Sequence, residues 1–313
     1  MIHRASACGK IILLGEHAVV YGFPAIALPI GSLRTRAELD AGKAPLRIEA
    51  PAIGLNAPLA DLPTGHPLAV CIRRTLGVLG REEPQGRLLL TSDIPVASGL
   101  GSGAAVSTAI VRVLASAAGR ELPPAEISNI VYEVERIYHG TPSGVDNTVI
   151  AFERPIFFRR GRKTDLLTVG GPIHLLIADS GVRSRTRDTV GGVRERREAD
   201  PVRYDGFFQQ IGGLVEEGRG YLETGQAPPL GKAMNQCHEL LRAIEVTTPA
   251  LDRLVDSARK AGAYGAKVSG AGLGGNIVAL ADPARLTAVE SALRSSGAAA
   301  VFSTSLDPQR GKR

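Results

Sequence analysis

The chain has 313 residues, 44% of them hydrophobic, and a net charge of +6. That length holds two domains or one large one, and the composition excludes a disordered chain. The positive charge suits an anionic ligand, but aromatics at 4% do not supply the interleaving of nucleic-acid binders, so no nucleic-acid partner is expected.

Taken in order, residues 10–15 read as a buried strand, residues 18–21 as a second apolar segment, and residues 25–28 as the start of another strand. Residues 40–65 are rich in Pro, Gly and Ala and read as loops around short strands. A helix is expected over 67–80, with Leu68, Cys71, Ile72 and Leu76 inward. A short strand over 88–91 leads to Pro95, Val96, Ala97, Ser98, Gly99, Leu100, Gly101, Ser102, Gly103, Ala104 and Ala105, and a helix follows over 104–118. A glycine-rich turn opening a helix gathers backbone N–H groups at the positive end of a dipole, which is a seat for a phosphate chain. No Gly-Lys-Ser/Thr follows those glycines, so the loop is not a Walker A motif.

Residues 124–139 form a clean helix between Pro123-Pro124 and Gly140. Ile127, Ile130, Val131, Val134, Ile137 and Tyr138 make its core face, and Glu135 stands among them. A carboxylate in that position needs a partner or a metal. A strand over 174–178 precedes an Arg-rich run over 183–200, which reads as a solvated helix face. Amphipathic helices fill about 204–260. Strand, glycine turn and strand occupy 266–269, 270–275 and 276–280, and a helix over 283–295 and a strand over 298–302 follow. Gly270-Ala-Gly-Leu-Gly-Gly275 matches G-x-G-x-x-G, but a β-branched segment follows it where a dinucleotide fold needs a helix. A glycine hairpin remains. The domain boundary is expected near residue 170, giving domains over 1–170 and 171–313.

Cys8, Cys71 and Cys237 are far apart and form no CxxC pair, which points to reduced thiols in a cytoplasm. The apolar run after Ala7 is broken by Lys10, Glu16 and His17, and the apolar segment 104–118 is short and carries Arg112. Neither a signal peptide nor a membrane span is expected.

Four stretches stand out together: Gly9-Lys10 through Gly15-Glu16-His17, the loop 95–105, His139-Gly-Thr-Pro-Ser-Gly-Val-Asp-Asn147, and Lys267-Val-Ser-Gly-Ala-Gly-Leu-Gly-Gly275. In this set the chain resembles the GHMP small-molecule kinases, and within them the branch that phosphorylates mevalonate. The resemblance runs over about residues 7–280 and is weakest over 35–65 and 195–260. It implies an α+β, two-domain architecture: an N-terminal domain like domain 2 of ribosomal protein S5 and a ferredoxin-like C-terminal domain. It implies transfer of the γ-phosphoryl of ATP to the 5-hydroxyl of mevalonate, with Mg²⁺. By position, Lys10 and Asp146 match the family's catalytic residues. The loop 95–105 matches its ATP-binding loop and Glu135 its Mg²⁺-binding glutamate, and with the family's ligating serine replaced here by Gly103, Ser102 is expected to assist at the metal. Glu16 and His17, along with Lys10 and Asp146, match residues on mevalonate, and the 270–275 hairpin matches a third motif that braces the phosphate loop. Arg183, Arg185 and Arg187 are candidates for the mevalonate carboxylate. Gly103 departs from the family pattern, which carries a second serine there. The resemblance allows a homodimer. Alternatives are a kinase for phosphomevalonate or homoserine, or a non-catalytic RNA-binding protein with an S5-like domain.

Overall fold

A computed structural model of the chain describes residues 1–308 except Ala97, Thr141 and Arg185, with the side chains of Tyr138 and His139 also outside the description. The Ala97 part of the phosphate loop, the His139 side chain and Thr141 of the third stretch, and the Arg185 candidate therefore lie outside the described residues. Two compact units result, each built from separated pieces of chain: Met1–Lys10 with Leu33–Glu153, and Ile11–Ser32 with the residues from Arg154 onward. The boundary expected near residue 170 falls inside the second unit.

Two long strands contribute to both units. The strand expected at 10–15 is the end of β1 (Ile2–Leu14), and the one begun at Ala25 continues as β2 (Ala25–Ala41). In β2 the first six residues are buried, and from Leu33 burial alternates, with Leu33, Thr35, Ala37 and Leu39 inward. One sequence therefore switches from a two-sided to a one-sided buried strand. The apolar segment at residues 18–21 is a 3-10 turn, entered through His17 at φ 61°.

In the first unit β3 (Arg47–Ala50) pairs antiparallel with β4 (Leu55–Pro58). Helix α1 (Pro67–Leu79) buries Leu68, Cys71, Ile72 and Leu76, as its spacing predicts. It leads to β5 (Gly86–Ser92), which lies parallel to β3 and antiparallel to residues 35–41 of β2. Helices α2 (Ser102–Ala117), α3 (Pro124–His139) and α4 (Val145–Phe152) pack on one another. On α3, Ile127, Ile130, Val131 and Val134 are buried, but Ile137 is 44% exposed: the apolar stripe ends one turn before the helix does.

In the second unit β6 (Ile156–Phe158) pairs with residues 25–27 of β2, and β7 (Asp165–Leu166) pairs with β6. Then come β8 (Ile173–Asp179), α5 (Thr186–Ala199), α6 (Pro201–Glu223), α7 (Ala227–Ala243), α8 (Pro249–Lys260), β9 (Gly265–Ser269), β10 (Asn276–Leu280), α9 (Leu286–Ser295) and β11 (Ala300–Leu306). The Arg-rich run is mostly α5, which buries only Thr189 and Val193. The four strands form an antiparallel sheet in the order β11-β8-β10-β9, the arrangement of a β-α-β-β-α-β ferredoxin-like unit with extra helices in its first crossover. Among the described residues no helix is long and apolar enough to cross a membrane. Cys8, Cys71 and Cys237 are free and buried, and burial pushes each thiol up to about 12.

Candidate functional site

In the first unit the glycine loop and Lys10 are built together. The Lys10 N–H donates to the Leu100 carbonyl at 3.0 Å, which ties the strand to the loop. Gly101 starts α2 at φ +78°, and a Cβ on it would stand 2.9 Å from Lys10 Cγ and 2.8 Å from Ile150 Cδ1. Only glycine combines that backbone with that close approach. The loop thus lies on the stem of Lys10, and Ser102 is the first residue of α2, beside its dipole's positive end. Ser98 closes the loop from within, donating to the Pro95 carbonyl at 2.8 Å.

Lys10 is buried, and its ammonium meets Asp146 Oδ1 at 2.9 Å, while the Asp146 side chain stays 30% exposed. Asp146 stands in the first turn of α4, where the helix dipole favours its negative charge. Gly144, at φ 95°, makes the sharp entry to that helix. The same end of α4 is clamped to α3 by a buried network. Asn147 Nδ2 donates to the Ser128 carbonyl at 3.1 Å and to Ser128 Oγ at 2.8 Å, and the Ser128 and Thr148 hydroxyls share a hydrogen bond at 3.3 Å. Glu135, on α3, is buried as its neighbours predict. Burial pushes its carboxyl up to about 8, the Asp146 charge pushes the same way, and Lys10 opposes them. Lys10, Asp146, Glu135 and the loop therefore come together in one unit.

Glu16 and His17 belong to the second unit. Glu16 is buried and paired with Lys267 Nζ, which also donates to the Val268 carbonyl at 2.6 Å. His17 Nε2–H donates to the Ala271 carbonyl at 2.8 Å. Burial pushes the His17 imidazole down to about 4 against the pull of that bond, and Arg196 and Lys267 add to the effect. The ring is neutral at pH 7, which leaves Nδ1 as an acceptor. The glycine hairpin is confirmed between β9 and β10, with Asn276 opposite Ser269. It is held by Gly275 N–H on the Val182 carbonyl at 2.8 Å and by Ser184 Oγ on the Gly272 carbonyl at 2.7 Å. Arg183 is braced from the same loop, its Nη1 lying 2.9 Å and 3.1 Å from the two oxygens of buried Asp179. Arg187 is exposed on α5.

Two features lie partly within the motifs singled out above but were given no role there. The Ser128–Asn147–Thr148 clamp had a signal, since Ser128 interrupts the apolar stripe of α3. Lys267 had one too, being a lysine between Ala266 and Val268 in a strand whose every residue is buried.

Residues 68–154 match the family described as GHMP kinases N terminal domain, and residues 219–299 match GHMP kinases C terminal. The first span contains the loop, Glu135 and Asp146, and the second contains Lys267 and the hairpin. The mevalonate kinase of Thermococcus sibiricus is 35% identical, with 94% of this chain and 93% of that protein covered. That of Aeropyrum pernix is 34% identical over 88% of each. Among solved structures, the L. major mevalonate kinase in complex with R-mevalonate superposes with a TM-score of 0.85 at 27% identity, covering 98% of this chain and 96% of that one. The Methanococcus jannaschii mevalonate kinase gives 0.84 at 25% identity, with 98% of both chains covered. A Streptococcus pneumoniae phosphomevalonate kinase shares the fold, at 0.78 and 18% identity. The ferredoxin-like sheet, the loop seated on Lys10 and these relatives agree: the chain belongs to the mevalonate kinases of the GHMP kinase family.

Proposed function

We propose that Lys10 and Asp146 are the catalytic pair in the transfer of the ATP γ-phosphoryl group to the 5-hydroxyl of mevalonate, a step of isoprenoid precursor biosynthesis. The observation that carries this reading is the 2.9 Å pair of Lys10 and Asp146 directly beneath the glycine loop. Phosphoryl transfer spreads charge over the γ-phosphoryl oxygens, so a protein catalyses it chiefly by positioning and electrostatics. The amides at the start of α2 and the Lys10 ammonium supply positive potential there. Asp146 keeps one part of its carboxylate open and accepts the hydroxyl proton. The loop from Pro95 to Ala105 is the phosphate seat in this scheme.

Mg²⁺ fits the oxygen donors available. Among the described residues no group of three His, Cys, Asp or Glu side chains could hold a metal ion. A site of Glu135, the Ser102 hydroxyl, nucleotide phosphates and water suits an ion that keeps several waters and takes one or two carboxylates. The raised pKa of Glu135 supports this, because burial disfavours its charged form and a bound cation would favour it again. Bound there, Mg²⁺ would neutralise phosphate oxygens.

Glu16 and His17 contact mevalonate in this scheme, with His17 Nδ1 accepting a hydroxyl proton's hydrogen bond. We assign the mevalonate carboxylate to Arg183, because Asp179 fixes one edge of its guanidinium and leaves the rest to a bidentate partner. The buried, free thiols suit a reducing cytoplasm. The test is ADP release with Mg²⁺ and, in turn, mevalonate, phosphomevalonate and homoserine. Mevalonate should be turned over well above the others, and equal or greater turnover of either competitor overturns the substrate assignment.

A further inference from the structure

Alternate positions along one strand and the hairpin it enters each grip the segment that carries Glu16 and His17. Lys267 Nζ holds the Glu16 carboxylate. Ser269 Oγ donates to the Ile12 carbonyl at 2.9 Å and accepts from the Ile12 N–H at 3.2 Å. The Ala271 carbonyl takes the His17 Nε2–H at 2.8 Å. Lys267 and Ser269, two apart on β9, share a face of the strand, and the Ala271 carbonyl of the hairpin adds a third contact to the same segment. The Lys267 and Glu16 side chains are both 0% exposed. A pair buried to that degree holds its members in a single geometry. Lys267 has a second acceptor in the Val268 carbonyl, which aims its ammonium independently of Glu16.

We propose that Lys267 is a positioning residue for mevalonate binding: it acts through Glu16, setting the carboxylate and, one residue on, the His17 ring in the orientation that meets the substrate. This rests on the assignment of Glu16 and His17 to mevalonate made above. It adds to that assignment a lysine that itself touches no substrate.

The test compares Glu16→Gln, Lys267→Met, Lys267→Arg and the double variant Glu16→Gln/Lys267→Met in the full-length enzyme, reading kcat and the KM values for mevalonate and ATP separately. Lys267→Met should raise the mevalonate KM by about tenfold or more while the ATP KM stays within about twofold, and Lys267→Arg should recover much of the loss. The double variant buries no charge, so it should fold even if Lys267→Met does not. Its mevalonate KM should equal that of Glu16→Gln alone, because a residue acting only through Glu16 has nothing left to position. An unchanged mevalonate KM in Lys267→Met, or a double variant clearly worse than Glu16→Gln, overturns the proposal. If Glu16→Gln itself leaves the mevalonate KM unchanged, the substrate assignment of Glu16 fails first, and the positioning role falls with it.

Discussion

Two lysines of this chain end beside a carboxylate inside the protein, and the pairs differ in their access to water. Lys10 is buried, but its partner Asp146 keeps 30% of its side chain exposed at the start of a helix. Lys267 and its partner Glu16 expose nothing. Each arrangement suits a different task. A carboxylate that must take a proton from a substrate needs an open edge, and the lysine behind it can be shared with a developing charge. A pair closed on both sides has no such freedom, and what it supplies is geometry. Buried ion pairs add little net stability, but removing one member leaves an uncompensated charge. The open pair is therefore expected to fail in chemistry and the closed one in binding and folding.

The largest effect should come from the open pair. Asp146→Asn keeps the shape and removes the base, and turnover should fall by at least ~10²-fold with ATP binding changed far less. Lys10→Met should also lower turnover, and the double variant should lose less than the product of the two single losses. Full activity of a folded Asp146→Asn enzyme would erase the distinction between the pairs.

A gentler perturbation leaves both charges in place. Gly101→Ala puts a methyl against the stem of Lys10 at a backbone angle, +78°, that L residues rarely adopt. The backbone cost alone is roughly 1–2 kcal/mol. Turnover should fall by about tenfold, with the circular dichroism spectrum retained. An unaltered rate would show that Lys10 need not sit where the loop holds it.

Glu135 sharpens the comparison from the metal side. Its carboxyl is raised to about 8, so the folded chain holds a proton that the unfolded chain releases above the ordinary value of 4.5. Folding stability therefore falls as pH rises through the window from 4.5 to 8. Glu135→Gln cannot ionise, so its melting temperature without metal should gain on the parent's across that window. At the same time its Mg²⁺ requirement in the kinase assay should rise. A variant with unchanged metal dependence would make Glu135 a helix residue only.

The smallest effect belongs to His17. Its pKa is depressed to about 4, so the unfolded chain binds a proton first, and stability is lost as pH falls from 6.5 towards 4. His17→Asn suits the positive φ at this position and should flatten that acid limb of the melting curve. An acid limb as steep as the parent's would assign the loss to another group, such as His238, which burial pushes down to about 3.

Much of this was legible in the sequence because it lay in local pattern. The apolar stripe of α3 announced its own exception at Glu135, and the glycines of residues 95–105 announced a turn into a helix. The hairpin at 270–275 was legible through what followed it, since β-branched residues excluded a dinucleotide fold. What was not legible depends on partners far away in sequence. Nothing near Lys267 shows that its counter-ion is Glu16, 251 positions earlier. The first turn of α4 was hidden because Pro142, Ser143 and Gly144 read as a loop, and the helix after them is short. The extension of β2 to Ala41 runs past Pro29 and Gly31, where strand pairing overrides two residues that usually break a strand.

The chain passes between the two compact units at Lys10–Ile11, Ser32–Leu33 and Glu153–Arg154. During synthesis the residues of the first unit are all made by Glu153, whereas residues 11–32 must wait for the far end of the chain before their unit can close. Until then Glu16 has no ammonium beside it. The same threading forbids dissection: a fragment beginning at Arg154 would carry Lys267 into its interior without a counter-charge. Such a fragment should be recovered insoluble or unfolded, and supplying a peptide of residues 11–32 in trans is the natural way to complement it.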